Sequence, residues 1–129
     1  MSTLEVCREG VSTHLKNKAS VKLDRVRVAV YLSASKEVLL YTHDEPEPYR
    51  YFGRTTFKQF MTRYGEYFVT TSKSTAVTRA SIKGIRLLGT KKNLFEVVSN
   101  VGVELEGGVT VGLLESRVIR FLMELGFKH

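Results

Sequence analysis

Residues 25–42, RVRVAVYLSASKEVLLYT, set the fold class. Val26, Val28, Val30 and Leu32 alternate with Arg25, Arg27, Ala29 and Tyr31. A two-residue period belongs to a strand with one buried face, because successive side chains of an extended chain point to opposite sides. The short polar stretch Ser33-Ala34-Ser35-Lys36 follows, and then Val38-Leu39-Leu40-Tyr41. Two apolar runs around a polar tip predict a β-hairpin over about 25–42.

Toward the N-terminus the period changes. Leu4, Cys7, Val11 and Leu15 are spaced by three and four, with Glu5, Arg8, Glu9 and Lys16 between them, which predicts an amphipathic helix over about 3–17. Gly10 within it costs about 1 kcal/mol relative to alanine. Toward the C-terminus, His43-Asp44-Glu45-Pro46-Glu47-Pro48 holds both prolines of the chain and reads as an acidic loop within one domain. Thr55 or Thr56 is placed to cap a helix whose apolar positions are Phe57, Phe60, Met61 and Tyr64, with Gly65 at the site of a left-handed C-terminal cap. Lys58, Gln59, Thr62 and Arg63 form its outer face. A second hairpin is predicted from Tyr67–Thr71 and Thr75–Arg79 around Ser72-Lys73-Ser74. Ile82, Ile85 and Leu88 fit either a strand or a short helix. A short helix is predicted at 93–100, a third hairpin around Glu106-Gly107-Gly108, and a last helix carrying Leu114, Val118, Phe121, Leu122 and Leu125, closed by Gly126. Residue identities do not recur at a fixed period, so no internal repeat is assigned. The expected fold is α+β: one domain, residues 1–129, of antiparallel hairpins with three or four short helices.

The 129 residues are 43% hydrophobic and include thirteen aromatics (Tyr 6, Phe 7), enough for one packed core. The formal net charge of +7 is unevenly placed. Between Arg50 and Lys92 lie ten cations (Arg50, Arg54, Lys58, Arg63, Lys73, Arg79, Lys83, Arg86, Lys91, Lys92) and one anion, Glu66. Residues 1–49 carry seven cations and seven anions, and residues 93–129 carry three and five. A field so confined costs self-repulsion, and its usual use is attraction of a polyanion.

Nucleic acid is therefore the expected partner, bound mainly through backbone phosphates, without distinguishing RNA from DNA. The candidate binding residues are the ten cations with Tyr51 and Gln59; Gln59 and Thr62 are suited to phosphates or base edges. Tyr49, Tyr51 and Phe52 interleave with Arg50 and Arg54, as stacking on unpaired bases requires. The alternative is a structural or assembly subunit of a ribonucleoprotein or virus particle that binds other protein chains or copies of itself.

No catalytic set is legible. His14, His43 and His129 are scattered, and consecutive residues of the Pro-interrupted loop do not converge on a metal. Neither a standard phosphate-binding glycine loop nor a Gly-x-Ser-x-Gly turn is present. Cys7 is the single cysteine, which excludes an intrachain disulfide. The expectation is a non-enzyme with neither metal nor cofactor. No apolar run approaches the roughly 20 residues that span a bilayer. The N-terminal ten residues resemble neither a secretory signal nor a transit peptide, so a cytoplasmic or nuclear location is expected.

One local resemblance adds to this. The helix from Thr56 to Tyr64, followed by Gly65-Glu66-Tyr67-Phe68-Val69 and a polar-tipped hairpin, resembles the C-terminal half of a winged-helix domain. More narrowly, it is similar to the LOTUS type, where a short helix with apolar positions like Phe57, Phe60 and Met61 runs through a tyrosine to a phenylalanine and a wing. The resemblance covers residues 56–81. It implies RNA or protein binding without catalysis, with Lys58, Arg63 and Lys73 on the contacting surface.

Overall fold

The structure is a computed structural model that describes residues 3–8, 18–92, 97–107, 109–113 and 117–126. Hairpins dominate it. β3 (Val26–Leu32) and β4 (Glu37–Thr42) pair antiparallel from Leu32↔Glu37 to Val26↔Thr42, with Ser33–Lys36 as the tip. The ladder slips between Val26 and Val28, so Arg27 is an inserted residue and the phase of the strand reverses there. Val26, Ala29 and Tyr31 consequently meet one core, whereas Val28 and Val30 meet another. The single buried face read from Val26, Val28, Val30 and Leu32 is thus corrected: Val26 lies on the other face, Leu32 is exposed, and both faces of the strand are covered.

The remaining strands extend this hairpin on both sides. β1 (Thr3–Arg8), β2 (Ala19–Lys22) and β5 (Tyr49–Tyr51) lie on the β4 side, and β6 (Phe68–Thr70) with β7 (Thr75–Thr78) on the β3 side. The seven-stranded order is β2-β1-β5-β4-β3-β7-β6. A second, three-stranded sheet, β10-β9-β8, is built from β8 (Ile82–Lys92), β9 (Val97–Leu105) and β10 (Val109–Leu113). The described α-helices are α1 (Phe57–Tyr64) and α2 (Val118–Glu124).

Several expectations are corrected here. Described residues of the predicted 3–17 helix form β1, in register with Tyr49–Tyr51 and with Ala19–Lys22; residues 9–17 lie outside the described residues. Leu4, Val6 and Cys7 are all fully buried, so the apolar spacing of this segment fits a strand covered on both faces as well as it fits a helix. The predicted 93–100 helix falls partly outside the described residues, and from Val97 onward it is strand β9. Ile82, Ile85 and Leu88 belong to strand β8. The fold is thus mostly β, with two short α-helices among the described residues where three or four were expected. The winged-helix resemblance fails with it. β6 and β7 are not a wing beside a helical bundle but integral strands, β7 pairing with β3 through Val28↔Val77, Ala29↔Ala76 and Val30↔Thr75.

α1 lies on one face of the large sheet. Phe60 is its buried residue, in contact with Tyr51, Tyr64 and Phe68 at ring separations of 5.5, 5.0 and 5.4 Å. Leu4, Val6, Val26, Ala29, Val38, Leu40 and Ala76 complete that core. The opposite face, Val28, Val69 and Val77, packs on Val103, Leu105 and Leu113 of the small sheet and on Phe121 of α2. Burying each such apolar side chain contributes about 1.5–3 kcal/mol.

Candidate nucleic-acid interface

Antiparallel order determines which loops are neighbours. In the run β5-β4-β3-β7-β6, the end of β3, the start of β4, the end of β5, the end of β6 and the start of β7 share one edge. The loops at 33–36, 52–56 and 71–74 therefore emerge together with the first turn of α1. Direct contacts tie them: the Thr55 amide donates to the Lys36 carbonyl at 3.0 Å, the Tyr31 amide donates to the Ser74 carbonyl at 2.7 Å, and the Tyr31 ring stacks on Phe57 at 6.0 Å.

α1 starts there for a local reason. The Gln59 amide donates to Thr56 Oγ1 at 3.1 Å, and Gln59 Oε1 accepts from the Thr56 amide at 3.1 Å, a reciprocal capping box that satisfies two amides the helix would otherwise leave open. The Gln59 carbonyl oxygen is thus already engaged. Lys58 is exposed beside it, and Arg63 is exposed one turn further on, its guanidinium 5.5 Å from the Tyr64 ring. Arg54, exposed, precedes the cap, Lys73 is exposed at the tip of the β6–β7 hairpin, and Lys36 is exposed at the tip of the β3–β4 hairpin with a φ of 55°. Among the described residues, none of Lys36, Arg54, Lys58, Arg63 and Lys73 has an acidic side chain within ion-pair distance.

The opposite end of the sheet is different. There the acidic loop 43–48 folds back on arginines: Arg8 pairs with Glu45 at 2.9 Å and Arg25 with Asp44 at 2.5 Å. The Tyr49 hydroxyl and the Arg8 guanidinium hold the Glu45 carboxyl below its ordinary range. Arg8 also lies 4.5 Å from the Tyr49 ring. Arg8 and Arg25 at this end are thus neutralised by acidic side chains; at the α1 end Glu37 pairs with Arg50, and among the described residues Lys36, Arg54, Lys58, Arg63 and Lys73 have no acidic partner.

The remaining sequence candidates separate by environment. Arg50 is half-buried and pairs with Glu37 at 3.0 Å. Tyr51 packs edge-on against Phe60 and shares a 3.2 Å hydroxyl contact with Tyr64, whose own hydroxyl burial pushes up to about 12. Tyr49 and Tyr51, both half-buried, are thus each engaged in contacts within the chain. Arg79 donates to the Glu124 carbonyl at 2.6 Å and to the Gly65 carbonyl at 3.4 Å, closing the C-terminal ends of both helices with one guanidinium. Lys83 is exposed with Glu104 at 3.9 Å. Arg86, Lys91 and Lys92 lie on β8, opposite Gly102, Val98 and Val97. Lys36 was missed because it stands outside the basic segment; its signal was its place at the tip of the most legible hairpin.

Among the described residues no group of three or more His, Cys, Asp and Glu side chains is arranged to hold a metal. No described helix is long and apolar enough to cross a membrane. No family model matches the chain and no curated protein matches it. A solved structure does: the LytTr DNA-binding domain of a methyl-accepting/DNA response regulator from Bacillus cereus, with a TM-score of 0.62 at 12% identity, covering 98% of this chain and 100% of that one. The chain shares that domain's β-rich fold, which replaces the LOTUS-type comparison.

Proposed function

We propose that this chain is a non-enzymatic domain that binds double-stranded DNA through its phosphate backbone, using the loop edge beside α1. The carrying observation is a contrast between the two ends of the large sheet: five exposed cations that have no acidic partner among the described residues at one, and at least partly exposed arginines paired with acidic side chains at the other. Desolvating paired charges gains little, whereas unpaired exposed cations release condensed counterions when they meet phosphates. Likeness to a solved DNA-binding domain favours DNA over RNA. The contacting set is Lys36, Arg54, Lys58, Arg63 and Lys73, on three loops and a helix that share one edge. Gln59 keeps its amide NH2 for a further polar contact.

Anisotropy titration of a labelled DNA duplex over a salt series tests this reading. Log affinity is expected to fall linearly with log salt, and replacing Lys36, Arg54, Lys58 and Lys73 together by glutamine is expected to flatten the slope by about 3–4 units. Replacing Arg25 by glutamine at the opposite end is expected to leave the slope unchanged. A wild-type chain that does not bind at low salt, or a quadruple variant with the wild-type slope, overturns the assignment.

A further inference from the structure

The two most exposed large apolar side chains among the described residues, Ile119 at 60% and Met123 at 57%, stand four residues apart on α2 and so share one face of that helix. Beside them lies an open, mainly apolar groove of about 650 Å³, walled by Ile82 and Ile85 of β8 and by Val118, Leu122 and Leu125, with Arg79 and Lys83 also lining it. Its floor is opened by Gly84, where an added Cβ would meet nothing within 4 Å. A projection and a hollow of matching chemistry thus adjoin on one element. Isolated exposed apolar residues need no explanation, but a pair bordering an apolar groove does.

We propose that this face binds a second copy of the same chain across a two-fold axis, α2 running antiparallel to its counterpart. In that arrangement Ile119 and Met123 of each copy enter the groove of the other, which satisfies the self-complementarity an isologous contact requires. Charge follows the same symmetry. Arg120 and Glu124 flank the apolar pair and lie 3.7 Å apart within one helix. Reversing the direction of the second helix sets Arg120 of one copy against Glu124 of the other, so the flank is complementary to itself. α2 spans seven residues, about 10 Å at 1.5 Å per residue, so the contact is small and the dimer weak. The groove adjoins Arg79, past the end of β7 away from the loop edge assigned to DNA, and self-pairing is independent of that assignment.

Sedimentation velocity on nucleic-acid-free protein, from about 10 μM to about 1 mM, reads the association directly. The expected result is a monomer–dimer equilibrium whose dissociation constant rises about tenfold or more in Met123→Glu, with the thermal melt unchanged because the side chain is exposed. Arg120→Glu and Glu124→Arg are each expected to weaken the dimer, and an equimolar mixture of the two to restore a heterodimer. A chain that stays monomeric over the whole range overturns the proposal, as does a dimer indifferent to Met123→Glu. A mixture without rescue overturns the antiparallel arrangement. DNA binding by the wild-type chain decides none of these outcomes.

Discussion

At the level of single residues, the structure shows how far a side chain's role depends on what lies across from it. Gly65 was expected in a left-handed cap, yet its φ is −62°. Glycine is required there for room: a Cβ would stand 2.6 Å from the Met61 carbonyl oxygen, which is backbone and cannot swing aside. Gly65→Ala is expected to destabilise the fold by about 1–3 kcal/mol in denaturant unfolding. His43 illustrates the same dependence electrostatically. Burial, and then the nearby Arg27 charge, hold its pKa below the ordinary value, while its Nε2 lies 3.3 Å from Ser81 Oγ. Asp44, Glu106 and Asp24 oppose that shift without cancelling it. The unfolded chain therefore takes up a proton near pH 6.5, the ordinary histidine value, before the folded chain does. His43 contributes stability above that pH, and loses it as pH falls toward the folded value. The melting temperature of the wild type is expected to drop more between pH 7.5 and 5.5 than that of His43→Gln.

Among the elements, α1 and the hairpins with polar tips formed where their sequence indicated, whereas the described parts of the 3–17 and 93–100 helices did not. The α1 capping box needs only residues 56 and 59, and one substitution isolates it: Thr56→Ala is expected to cost about 1 kcal/mol in thermal or denaturant unfolding. If the loop edge binds DNA, fraying of α1 at this turn also lowers affinity through Lys58. The β3–β4 and β6–β7 hairpins likewise bracket short polar tips. At the β9–β10 turn Gly107 has a φ of 84°, and a Cβ there would come within 2.7 Å of the Arg27 guanidinium. Two demands thus meet at one glycine. Thr62, the one β-branched residue of α1, donates its hydroxyl to the Lys58 carbonyl at 2.8 Å, one turn back along the helix.

Across the whole molecule, arginines tie layers together. Arg27, the inserted residue of β3, donates to the Glu106 carbonyl at 3.0 Å and the Thr42 carbonyl at 3.2 Å, joining the large sheet to the turn of the small one. Arg79 joins the ends of α1 and α2. Arg79→Met is expected to lower stability by about 1.5–3 kcal/mol, the range for hydrogen bonds from a charged donor. Its DNA affinity, measured well below the melting transition, is expected to match the wild type, which separates this cation from those of the loop edge.

Hairpins, the N-terminal cap of α1 and the two helices were legible because they depend on neighbours within a few residues, where period and turn chemistry act directly. The +9 segment was legible too, as a sum over the chain that needs no coordinates. Only the tertiary structure decided the rest. A side-chain period states which face of an element is apolar but not what covers it, so Leu4 and Cys7 suited a helix until β2 and β5 paired with β1. Charge in a linear segment likewise says nothing of direction. Folding turned Arg50 toward Glu37 and Arg79 toward two helix ends, and brought Lys36, from outside the segment, next to Arg54. The physical reason is that strand pairing joins residues far apart in the chain, and it is strand order that places three distant loops at one edge.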